Sequence, residues 1–159
     1  MTTTTKRRLG LVAALALGLS PVLTAVAAPQ GGGFQTSDFD GQVVPLAKVL
    51  EKQGAKLDPD AAPHWMALVT DDGKVIPLVK DDGSRMFFKD ARLLDRPMRL
   101  TGRLVGDSPL LQVTNVHSYL KGQLQDVYYW CDICAIRRSE LQKCDCCGDI
   151  MVLREEPLK

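Results

Sequence analysis

The chain has 159 residues, enough for one domain or one domain with a small appendage, and its 45% apolar and 25% charged residues belong to a globular protein, not to a collagen-like or disordered one. Aromatics make up only 6%, which speaks against an extensive base-stacking surface. The formal charge is +1, but Lys6, Arg7 and Arg8 are the only charges before Asp38; without them acidic side chains outnumber basic ones, so the body is no electrostatic trap for nucleic acid.

The segment from Met1 to Ala27 reads as an export signal. Lys6-Arg7-Arg8 is a basic start, Leu9 to Leu19 is an uncharged apolar run, and Ser20-Pro21 breaks any helix there. Ala25-Val26-Ala27 supplies the small residues a signal peptidase needs. The cut is expected after Ala27, because cutting after Ala28 would leave Pro29 at the start of the product. Pro21 and Gly31-Gly32-Gly33 interrupt the uncharged stretch and no stop-transfer charges follow closely, so a cleavable signal is favoured over an anchor. No stable membrane span is then expected after cleavage, and the location is periplasmic or secreted. Arg7-Arg8 also permits twin-arginine export. No cysteine stands close behind the apolar run, so no lipoprotein attachment point is expected there.

Residues 28–43 are glycine-rich and lack apolar periodicity, which predicts a flexible linker. Residues 44–126 read as a mainly β domain. It opens on a short helix, Pro45 to Gln53, in which Leu46, Val49 and Leu50 share a face and Gly54 follows the end. Strands are expected at Trp65 to Thr70 and Val75 to Val79, joined by Asp71-Asp72-Gly73 as a hairpin turn. The pattern recurs ten residues later at Asp81-Asp82-Gly83, which predicts a β-meander. The paired aspartates lack the oxygen spacing of a calcium loop and read as solvated turn residues. Asp90 to Asp95 predicts one helical turn. Met98 to Val105, Leu110 to Tyr119 and Leu124 to Trp130 predict further strands, with Leu111, Val113 and Asn115 on one side of the second and Gln112, Thr114 and Val116 on the other. About five short strands with one helical interruption resemble a small OB-like β-barrel. The basic residues from Lys80 to Arg103 are interleaved with aspartates, have few aromatics beside them, and read as a solvated surface.

The cysteines carry the strongest chemical signal. All five fall between Cys131 and Cys147, and they form two Cys-x-x-Cys pairs, Cys131/Cys134 and Cys144/Cys147, with nine residues between. Two residues between cysteines let a tight turn aim both sulfurs at one point, and two such turns complete a tetrahedron around a metal ion. Gly148 suits a turn that needs positive φ. Cys146 is a surplus thiol, expected to point away from the ion or to serve as an alternate ligand.

Residues 127–159 therefore form a predicted four-cysteine zinc-knuckle module, and Tyr128 to Leu153 resembles a zinc ribbon. That resemblance implies zinc held by Cys131, Cys134, Cys144 and Cys147, with Gly148 at the knuckle glycine. The gap of nine is shorter than the roughly 12–20 residues common in such sites, and Ala135 stands where the first knuckle would carry glycine. The phrase YYWCDICAIRR beside a small β-domain and a signal peptide is also similar to exported bacterial proteins, and that likeness implies no activity. Arg137, Arg138, Lys143 and Arg154 are expected around the site, where they can offset thiolate charge or donate to sulfur.

Rival readings of the cluster are disulfides, usual in exported proteins, soft-metal uptake such as Cu(I), and redox catalysis by lowered-pKa thiols. An odd count weighs against the first, and a β-rich setting against the last. His64 and His117 read as structural, and no catalytic motif occurs. The sequence thus predicts an exported, non-enzymatic binding or interaction protein with structural zinc, a metal ion and an envelope protein as partners, and no nucleic acid. The alternatives are a copper or zinc sensor or carrier and, third, a thiol oxidoreductase.

Overall fold

The computed structural model describes residues 35–158. The expected signal segment and the first part of the expected linker lie outside these residues. The described residues belong to one compact unit, Gly33–Lys159, and no helix among them is long and apolar enough to cross a membrane.

The expected linker to residue 43 is corrected in its last part: Ser37–Pro45 is a strand, β1. Its first half pairs with β4 (Pro97–Leu104) and its second half with β2 (Met66–Thr70), both antiparallel. Gly41 sits where the two ladders overlap. A Cβ there would lie 2.3 Å from the Val69 carbonyl oxygen, so this glycine serves close backbone packing, not flexibility. Pro45, with φ −58°, leads into helix α1 (Leu46–Lys52), and Gly54 after its end takes φ +79°. The Asp71-Asp72-Gly73 hairpin forms as expected: β2 returns as β3 (Val75–Pro77), Gly73 has φ +81°, and Thr70 N–H donates to the Lys74 carbonyl at 3.0 Å.

The second Asp-Asp-Gly makes no hairpin, which corrects the meander. Leu78 forms one isolated parallel bridge to Leu111, and the chain then turns into helix α2 (Met86–Lys89), which buries Met86 and Phe87. Gly83 passes so close to β5 (Leu111–Leu120) that a Cβ would lie 1.9 Å from the Val113 carbonyl oxygen. The helical turn expected near Asp90 is present as a 3₁₀ turn, Ala91–Leu93, capped by the Asp90 carboxylate. Asp90 is itself buried and accepts from Tyr129 Oη at 2.7 Å and from the Arg92 guanidinium. Arg92, aided by Tyr129 and opposed by burial, holds the Asp90 carboxyl down to about 2.

β4 pairs with β5, and β5 with β6 (Gln123–Cys131). The expected faces of β5 are corrected beyond Val113. A register shift opposite Thr101 and Gly102 inserts an extra residue, so Val116 joins Leu111 and Val113 in the core and Asn115 is exposed. β7 (Ile136–Arg138) pairs with the end of β6, and β8 (Val152–Pro157) pairs with β6 as well.

The sheet order is β3-β2-β1-β4-β5-β6-β7, with β8 set on β6. The molecule is mainly β and the first five strands follow an OB-like order, but they do not close into a barrel. β3 is only three residues long and ends on Pro77, which has no N–H to extend a ladder. Across the gap stand the bridge at Leu78 and a Val79 N–H bond to the Leu111 carbonyl at 2.9 Å. The core runs from Val43, Leu68 and Phe87 through Leu100 and Tyr129 to Cys131, Cys144 and Met151. The sheet and the cysteine segment therefore share both a strand and a core.

Candidate metal site

The last residue of β6 is Cys131. Beyond it the chain reverses through Cys134 and returns as β7, with Cys131 opposite Ile136. The turn is locked by Ala135 N–H donating to the Cys131 carbonyl at 2.9 Å and by Cys134 N–H donating to Cys131 Sγ at 3.4 Å. Ala135 adopts φ +53°, the left-handed conformation that the pattern assigns to glycine.

The second pair repeats the arrangement. Gly148 N–H donates to the Cys144 carbonyl at 2.8 Å, Gly148 has φ +75°, and Cys144 N–H donates to the Asp149 carbonyl at 2.7 Å. Lys143 bridges Ile150, and Met151 N–H reaches the Gln142 carbonyl at 3.1 Å. Met151 is buried in the core and β8 follows it, so the second turn is tied to the sheet on its C-terminal side.

The two turns face each other. The sulfurs of Cys131, Cys134, Cys144 and Cys147 all lie within 4.8 Å of one another, with Cys131 and Cys147 at 3.5 Å. A tetrahedral ion with metal–sulfur bonds of about 2.3 Å requires sulfur–sulfur edges of about 3.8 Å. A disulfide requires about 2.05 Å, and all five cysteines are free thiols. The group can therefore hold a metal ion. Cys131 and Cys144 are buried, Cys134 is half-buried, and Cys147 is exposed.

The thiols are not equivalent. The N–H groups of Cys147 and Cys146 point at Cys144 and bring its pKa down to about 7. Cys134 is pushed upward by hydrogen bonding with Cys146 first and Cys147 second, and burial adds to this. At Cys131 the Cys134 N–H pulls downward, but burial and the neighbouring thiols outweigh it. Four sulfurs this close cannot all ionise without a cation between them. A dication removes that conflict, which is the chemical sense of the arrangement.

The arginines expected around the site have other partners. Arg137 pairs with Asp126 at 2.6 Å and lies 4.2 Å from the Tyr128 ring centroid. Arg138 pairs with Asp145 at 2.9 Å, and Lys143 is exposed. Arg154 pairs with Asp132 at 2.6 Å. Asp132 and Asp145 each directly follow the first cysteine of a pair, and each holds an arginine from another segment. Sequence reasoning passed over these two aspartates, although the repeated Cys-Asp dipeptide marks them. No family model, curated protein or solved structure matches this chain.

Proposed function

We propose that the chain is an exported, non-enzymatic binding or interaction protein whose C-terminal segment is held in place by a structural zinc ion on Cys131, Cys134, Cys144 and Cys147. The observation that carries the metal reading is the convergence of the four sulfurs within 4.8 Å on two matched turns. Zinc is favoured because an all-sulfur tetrahedral donor set suits it, and because it has no geometric demand beyond that set. Four protein ligands leave no position for water or substrate, so the ion would brace the fold and not act on a substrate. Four thiolates around a dication carry a net −2, and Arg137, Arg138 and Lys143 would offset this from outside the sulfur contacts. Export rests on the composition of the segment from Met1 to Ala27.

The test is elemental analysis of the protein purified without added metal. One zinc per chain is expected. Replacing Cys131 by Ser should abolish it and destabilise the C-terminal segment by several kcal/mol, given that structural zinc contributes on the order of 10 kcal/mol to small modules. Copper in place of zinc would overturn the identity of the ion. A metal-free protein with cysteine disulfides in its peptide map would overturn the site.

A further inference from the structure

β8 is an edge strand: among the described residues it pairs with β6 alone. Leu158 N–H donates to the Leu124 carbonyl at 3.3 Å, so the antiparallel alternation turns the N–H and C=O groups of Leu158, Glu156, Arg154 and Val152 towards β6. Those of Leu153 and Glu155, and the Pro157 carbonyl, point to the open edge. Pro157 is tolerated there because the donor it lacks is one that β6 does not use. The side chains of this edge are complementary to themselves. Val152, Arg154, Glu156 and Leu158 share one face, and Glu155 lies on the other, where Arg96 of the same chain pairs with it. Counted outward from Glu155, Arg154 is mirrored by Glu156 and Val152 by Leu158. Val152 and Leu158 are each 47% exposed. Arg154 uses Nη2 on Asp132, which leaves Nη1 for a second acceptor.

We propose that the β8 edge is a docking site for a second copy of this chain: two β8 strands pair antiparallel across a two-fold axis at Glu155, and the two sheets become one. In that register the backbone of Glu155 exchanges hydrogen bonds with its counterpart, and Leu153 N–H of each copy donates to the Pro157 carbonyl of the other. Arg154 of each copy faces Glu156 of the other, and Val152 faces Leu158, so opposite charges and exposed apolar side chains both find partners. Sliding the pairing by two residues would set Arg154 against Arg154 or Glu156 against Glu156, so charge selects the register. Both copies use the same surface, and association therefore stops at two. The strand has six residues, which makes the interface small and the dimer a weak one. The pairing uses no cysteine and no metal, so it stands or falls apart from the metal reading.

Sedimentation equilibrium of the purified chain, with its thiols kept reduced, tests this over about 1 µM to about 1 mM protein. A monomer–dimer equilibrium is expected. Glu156→Arg and Arg154→Glu each place like charges opposite one another on both sides of the axis and should each weaken dimerisation by about tenfold or more. An equal mixture of the two variants restores opposite charges at every such pair and should dimerise at least as tightly as the wild type. A variant that had merely misfolded would not be rescued by mixing. A dimer that Glu156→Arg leaves unchanged, or two variants that stay apart on mixing, would overturn the proposal. So would a wild type that remains monomeric throughout, which would leave the edge to water or to a different chain.

Discussion

Ala135 and Gly148 occupy the same place in the two cysteine turns. Each donates its N–H to the carbonyl of the first cysteine of its pair, and each has positive φ. For glycine that conformation carries no steric penalty, while for alanine it costs on the order of 1–2 kcal/mol, partly offset by the smaller entropy alanine loses on folding. Ala135→Gly is therefore expected to stabilise the metal-loaded protein by about 0.5–1 kcal/mol, and Gly148→Ala to destabilise it by at least as much. Urea unfolding measures both, and shifts of the same sign would contradict the account. Gly148 was legible in the sequence because glycine advertises its backbone freedom. Alanine advertises nothing of the kind, so the first turn could be inferred only from its cysteine spacing. The arginines carry a similar lesson. Their charge near the cysteines was readable, but their pairing with Asp132 and Asp145 depends on segments meeting in space.

Two copies of Asp-Asp-Gly lie ten residues apart and adopt different structures. Gly73 turns a hairpin because β2 and β3 flank it, and the space around its missing Cβ is open. Gly83 turns no hairpin. The chain after it must bring Met86 and Phe87 into the core, and the glycine lets the backbone pass against β5. The two glycines should respond differently to alanine. Gly73→Ala faces only the φ penalty, about 1 kcal/mol. At Gly83 the new Cβ would meet a backbone carbonyl, and relieving that overlap should cost about 3 kcal/mol or more. Equal losses in thermal unfolding would count against this distinction. Similar physics separates Gly41 from the flexible linker expected around it. Local composition shows how freely a residue can bend, and the neighbouring strand decides whether that freedom is used for turning or for close packing.

At the scale of the molecule, β6 carries the coupling between the sheet and the cysteine site. Its first half pairs with β5, its second half pairs with β7, and β8 runs along most of its length. Cys131 and Cys144 are buried in the same core as Leu100 and Tyr129. A metal bound there is linked to the stability of the whole described unit, because whatever binds only the folded state stabilises all that folds with it. Removing the metal with a chelator should therefore lower the midpoint of one calorimetric transition. A separate, earlier transition for the segment after residue 126 would show that this segment folds independently.

By itself the sequence determined the mainly β class, the first helix, the first hairpin, most of β4 to β6 and the four cysteines that converge, because periodicity, turn chemistry and ligand spacing act over a few residues. Tertiary structure alone decided that the OB-like sheet stays open, that Val116 faces inward, that Ser37–Pro45 is a strand and that Cys147 rests against Cys131. Each of these depends on a partner far along the chain. A three-residue strand ending in proline, a bulge opposite Thr101 and Gly102, a carbonyl above Gly41 and a thiol on the facing turn become forces only once the backbone has brought them within a few ångströms.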